Sequence, residues 1–236
     1  MIKIKTVFYY LLLSIVSIIL ILLMAITKQG PLNTINLFDK LLVAFVFFCS
    51  CIFGISIAIY PNWWRKNKRY ANHALNLQKA GKKIQFKGHH PDCIMFKNHT
   101  IVIKNKPRCA GCLGLILGAF ISIILMILYL IIPFSFSIST YYIFLFIGIF
   151  ILIFVYTGII IFKRRIFLHI ILNSFLVFSF FIITVSVAEL SLNPIYGVLT
   201  VLLCFLWLDA RIHISNLEHQ KICASCKQIC KSYSNF

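Results

Sequence analysis

Charge is what this chain has little of, and acid is the scarcest of all. Charged side chains make up 12% of the 236 residues, and only five residues are Asp or Glu. An ordinary soluble domain carries about 25% charged residues, so that class is excluded. No Ala-x-Ala cleavage site follows the first apolar run, residues 7–26, which is longer than the roughly 7–15 residues of a signal core. It is expected to remain as an anchor helix. Low-complexity tracts and convincing internal repeats are absent too. The apolar runs also lack the polar, Gly- and Pro-interrupted stretches that transporters place at the membrane midplane, which argues against a large aqueous pathway.

What is there is hydrophobic, at 61% of the chain. Six apolar runs are long enough to cross a bilayer, for which about 20 residues suffice. They cover residues 7–26, 41–60, 113–132, 141–162, 166–188 and 195–210, the last being the weakest because Asp209 and Arg211 lie at its end. Helices satisfy their own backbone hydrogen bonds, so in lipid each run is expected to be helical. The expected class is an all-α polytopic membrane protein with about six transmembrane helices.

The net charge of +18 suggests nucleic acid until the charges are placed. With six spans, residues 61–112, the loop Lys163-Arg164-Arg165 and both termini fall on one side, leaving only Lys28 and Lys40 on the other. That is the positive-inside pattern, predicting a cell (inner) membrane protein with both termini in the cytoplasm. Attraction to anionic headgroups then explains the basic excess, and no nucleic acid is expected.

Four segments follow. Residues 1–60 read as a two-helix anchor, and 61–112 as a basic cytoplasmic segment. Residues 113–210 form a four-helix region and 211–236 a Cys-rich tail. Tyr9, Tyr10, Tyr60, Trp63 and Trp64 stand where interfacial aromatics belong. Residues 62–80 read as a surface helix or an extension of the second span. After Gly81 come β-like pieces at Ile84-Gln85-Phe86 and Thr100-Ile101-Val102-Ile103, and the Asn105-Lys106-Pro107 turn leads to Cys109. So small a ribbon needs a staple, because apolar burial alone does not hold it.

The staple is legible as spacing. His90, Cys93, Cys109 and Cys112 form two pairs, each with a two-residue gap, which suits tetrahedral zinc. His89 and His99 are spare, as alternative ligands or outer partners, and Asp92 could orient an imidazole. In the tail, His219, Cys223, Cys226 and Cys230 could bind a second zinc or lend ligands to the first. An iron–sulfur cluster is the lesser alternative, and a regulatory tail another. Disulfides fit poorly with a reducing cytoplasm. A redox pair at Cys109 and Cys112, near a helix start, stays open.

The residues His89-His90-Pro91-Asp92-Cys93, Phe96, His99 and Cys109-Ala110-Gly111-Cys112-Leu113-Gly114-Leu115 with Gly118 resemble the signature of a multi-pass membrane family known as domain of unknown function 2085. The resemblance covers roughly residues 85–130. It implies an integral membrane protein bearing a Cys/His signature, with no activity attached. The chain departs from the family at Gly111, where Arg is common, and in its first two spans.

Few polar groups lie within the spans. His169 and Asn173 share a helical face and read as a helix-to-helix hydrogen bond or, less simply, a proton relay. Glu189 ends the fifth span at the outer surface and is expected to be solvated. Asp209 and His213, with Arg211 beside them, either meet the insert or anchor a helix end. Cys49 and Cys51 read as small buried residues, and Gly114-x3-Gly118 as a close-packing motif. The favoured function is a metal-organised platform for a cytoplasmic protein partner or anionic headgroups. The rivals are a membrane thiol–disulfide oxidoreductase using Cys109 and Cys112, and a small transporter. A zinc hydrolase would need a general base, and Asp92 is the only acid in the insert.

Overall fold

The computed structural model describes residues 4–27, 35–59, 86–87, 90–91, 99–103, 106–132, 136–161 and 165–225. Its body is six helices: α1 (Ile4–Ile26), α2 (Leu37–Ile59), α3 (Ala110–Ile131), α4 (Ile138–Ile161), α5 (Ile166–Ser191) and α6 (Pro194–Ser225). All six are long and apolar enough to cross a membrane, so the fold fits a multi-pass membrane protein. Each expected run overlaps one helix. The weakest of them belongs to the longest: α6 continues without a break past Asp209 and Arg211 to Ser225, so the first part of the expected tail is helix. The surface helix expected over 62–80 lies outside the described residues, as do Tyr60, Trp63 and Trp64.

α5 is the centre of the bundle, packed against α1, α3, α4 and α6. From Ile183 to Ser191 every residue is buried, as befits a helix surrounded by others. α2, α3 and α4 turn Phe45, Phe120 and Phe150 outward, and α5 does the same with Phe167 at its start, a surface suited to lipid tails. Helices in lipid associate by close packing, which small residues permit. Gly114 and Gly118 supply it: a Cβ on Gly118 would stand 2.6 Å from the Ser174 carbonyl oxygen, and one on Gly114 would collide with that of Ile170. The Ser174 hydroxyl donates to the Gly114 carbonyl at 2.9 Å, tying α3 to α5. Trp207 Nε1 donates to Ser17 Oγ at 2.8 Å, and the Tyr156 hydroxyl to the Trp207 carbonyl, joining α1, α4 and α6. Cys51 is buried as expected, whereas Cys49 is exposed, since two residues along a helix turn the side chain to the other face.

Among the described residues of the insert are two short antiparallel pairs: β1 (Phe86–Lys87) with β2 (His90–Pro91), and β3 (Thr100–Ile103) with β4 (Lys106–Cys109). Thr100 stands opposite Cys109 and Ile103 opposite Lys106. The Lys106-Pro107 part of the expected turn is therefore strand. β4 runs directly into α3, so α3 and α5 begin, and α6 ends, at the insert end of the bundle.

The far end is built from local signals. Asn193 caps α6 by accepting the Ile195 amide at 2.9 Å, with Pro194 as the first helical residue. Ser137 caps α4 through the Thr140 amide at 3.3 Å. Leu192 closes α5 in the left-handed region (φ 54°), its amide bonded back to the Ala188 carbonyl.

Candidate functional site

The chemistry-bearing side chains gather at the insert end. β4 ends at Cys109 and α3 starts at Ala110, so Cys109 is the helix cap and Cys112 lies one turn further on the same face. The two thiols are hydrogen-bonded to each other. The Thr100–Cys109 register brings His99 to the same corner. There it meets His219 of α6, both rings buried, with centroids 5.5 Å apart and planes tilted by 56°. Insert and tail, 120 positions apart in sequence, thus share one buried contact.

Behind the cysteines lies a second layer. The Arg211 guanidinium reaches from α6 across to the first turn of α3, where its Nη2 stands in the space a Gly111 side chain would need. His169 Nε2 lies 3.0 Å from that same point. A side chain at 111 would push the Arg211 guanidinium, the far end of a flexible side chain, out of this space and press on the His169 ring. The Arg211 charge is also within reach of the Cys112 thiol and the Tyr156 hydroxyl. Asn173 donates its side-chain amide to the His169 carbonyl one turn back, so the pair expected to join helices bonds within α5. Asp209 and His213 likewise turn to each other, His213 Nδ1 lying 2.9 Å from the Asp209 carbonyl oxygen and 3.5 Å from its carboxylate. Tyr10 stacks on His213 with centroids 4.0 Å apart.

A different polar group occupies the far end. Lys40 Nζ lies 2.7 Å from the Glu189 carboxylate and 4.8 Å above the Tyr129 ring, while the Tyr129 hydroxyl donates to Glu189 at 2.7 Å. Glu189 is 8% exposed, which overturns the expectation of a solvated acid. The reason is tertiary: α2 and α3 bring a cation and a phenol over a carboxylate that the sequence places at a helix end.

Of the ten candidate metal ligands, four have described side chains: His99, Cys109, Cys112 and His219. His90 is placed in its strand and Cys223 in α6 by backbone alone. His89, Cys93, Cys226 and Cys230, with Asp92, lie outside the described residues. Among the described residues no three His, Cys, Asp or Glu side chains stand together as a metal-holding group. Sequence reasoning passed over Arg211 as a neighbour of Asp209. Its signal was there: it is the one cation just past a 14-residue uncharged stretch that begins at Ile195 and ends before Asp209. It also left Lys40 and Glu189 unpaired, although few charges fall on their side.

No family model matches this chain, and neither a curated protein nor a solved structure matches it.

Proposed function

We propose that this protein is a cytoplasmic-face platform in the cell membrane, organised by a zinc centre at the insert end of its bundle. The observation that carries the reading is the buried His99–His219 contact at the insert end of the bundle, the end at which Cys109 and Cys112 also meet. Buried imidazoles and thiols drawn from two distant segments have the donor chemistry of a structural zinc site. His90, Cys93, Cys109 and Cys112 would supply the shell at the ribbon. His89, His99, His219, Cys223, Cys226 and Cys230 would be the further donors, in the same assembly or a neighbouring one. Bound zinc would fasten the ribbon to α6 and present the surrounding Lys and Arg to an anionic headgroup or a protein partner. The resemblance to domain of unknown function 2085, resting on the same Cys/His residues, belongs to this reading.

The test is metal content on detergent-purified protein, comparing wild type with Cys109→Ser/Cys112→Ser and with Cys223→Ser/Cys226→Ser. Wild type is expected to hold about one zinc per chain or more, and the ribbon variant to lose it. A shared assembly predicts loss in the tail variant as well. Zinc-free wild type that is folded and unaffected by chelator would sink the platform.

A second reading has its own support. Cys109 and Cys112 lie one turn apart at a helix start and are in hydrogen-bond contact, the adjacency that a dithiol–disulfide pair requires. Reversible cycling of this pair between dithiol and disulfide in metal-free protein would favour a membrane thiol–disulfide oxidoreductase.

A further inference from the structure

Neither the zinc centre nor the packing of the bundle accounts for Arg211. The residue is 8% exposed, and among the described residues its Nε has no hydrogen-bond partner. Among the described residues no carboxylate lies within ion-pair distance of it, and the nearest acid along its helix, Asp209, faces His213. A buried guanidinium without a counter-ion is costly. The surroundings make matters worse. α3 and α5 run in the same direction, since Gly111 meets His169 at one end and Tyr129 meets Glu189 at the other. Both therefore point their N-termini, the positive ends of their dipoles, toward Arg211. Their cap residues, Cys109 and Arg165, make no side-chain cap bond, and neither helix has an acid in its first turn.

We propose that this corner binds a phosphate-type oxyanion. Arg211 would supply the charge and a planar fork of donors that matches phosphate, and first-turn amides of α3 would complete the shell. His169, whose Nε2 flanks the same point as Arg211 Nη2, would be a further donor. The corner lies at the mouth of the bundle, so the phosphate would be either a free one or that of a lipid headgroup. The site stands on Arg211 and the helix starts, independently of bound zinc.

The experiment is thermal unfolding of the full chain in uncharged detergent. One arm adds inorganic phosphate at constant ionic strength set with chloride, and the other adds phosphatidylglycerol to the micelles. A concentration-dependent rise in the midpoint is expected in at least one arm, because a ligand of the folded state stabilises it. Arg211→Gln should weaken the effect by about tenfold or more, since a charge-assisted contact is lost. Arg108→Gln, on an exposed strand residue, should leave the effect of inorganic phosphate intact. A rise with phosphate identifies a free anion, and a rise confined to the lipid arm identifies a headgroup. If Arg211→Gln does not fold, radiolabelled phosphate binding and lipid retention by native mass spectrometry of the wild type decide instead. No rise and no binding in either arm overturns the site, as does an equal rise in folded Arg211→Gln.

Discussion

At the far end Lys40, Glu189 and Tyr129 satisfy one another, while at the insert end Arg211, with the same need, meets no acid among the described residues. The helix starts differ in the same way. Those of α4 and α6 at the far end are capped by Ser137 and Asn193, and α2 carries Asp39 in its first turn. Those of α3 and α5 at the insert end have neither cap nor acid. One bundle thus holds buried polarity in two ways. The far end is internally complete and reads as structure. The insert end has unmet demand for negative charge, and unmet demand is what a binding site looks like before its ligand arrives.

Breaking the complete end should have the largest effect. Glu189→Gln leaves Lys40 with no counter-charge and the Tyr129 hydroxyl with a weaker acceptor. The expected loss is about 3–5 kcal/mol, the usual result of removing one partner of a buried pair. Replacing both ions, in Lys40→Met/Glu189→Gln, should recover most of it, because the desolvation of the orphaned cation disappears. Unfolding in detergent through a double-mutant cycle measures this directly. A Glu189→Gln variant as stable as wild type would show that the pair is solvated in the membrane protein and that the contrast between the ends is false.

The opposite response is expected at the insert end. With no acid partner among the described residues to lose, Arg211→Met should be neutral or stabilising by about 1 kcal/mol in ligand-free detergent, since a buried charge is removed. Lys40→Met alone should destabilise, because it orphans Glu189. Opposite signs for two cation-to-Met substitutions sharpen the comparison, and equal signs break it. A loss of stability in Arg211→Met would mean that the guanidinium already has a partner within the chain.

How much of this the sequence announced follows the range of the interactions. Six helices were legible because hydropathy over a run long enough to span a bilayer is a local property. The Gly114-x3-Gly118 spacing announced a close approach without naming α5 as its partner. α6 was under-read because Asp209, Arg211 and Glu218 look like an end, although on a helix they take different faces: Arg211 turns inward and Glu218 pairs with Lys221. The pairs that define both ends join residues 100 or more positions apart, as in Lys40–Glu189, His99–His219 and Gly111–Arg211. One sequence does not say which helices are neighbours, so those pairs were out of reach. The cysteine spacing was legible, and Cys109 and Cys112 do meet, but the donors around them lie largely outside the described residues.

The smallest expected effects test the helix starts by exchange. Ser137→Ala removes an existing cap from α4 at the far end and should cost about 1 kcal/mol. Arg165→Ser offers α5 a cap it lacks at the insert end and should stabilise the ligand-free protein by a few tenths of a kcal/mol to about 1. The second change also takes a cation from the end of the bundle where Arg211 is buried and supplies an acceptor to amides that point there. It should therefore gain stability and weaken phosphate binding together, whereas Ser137→Ala should lose stability and leave binding alone. A shared sign of the two stability changes would mean that both ends are equally finished. The opposite signs, seen with a binding change only in Arg165→Ser, would place the missing caps at the insert end among the features that make room for an anion.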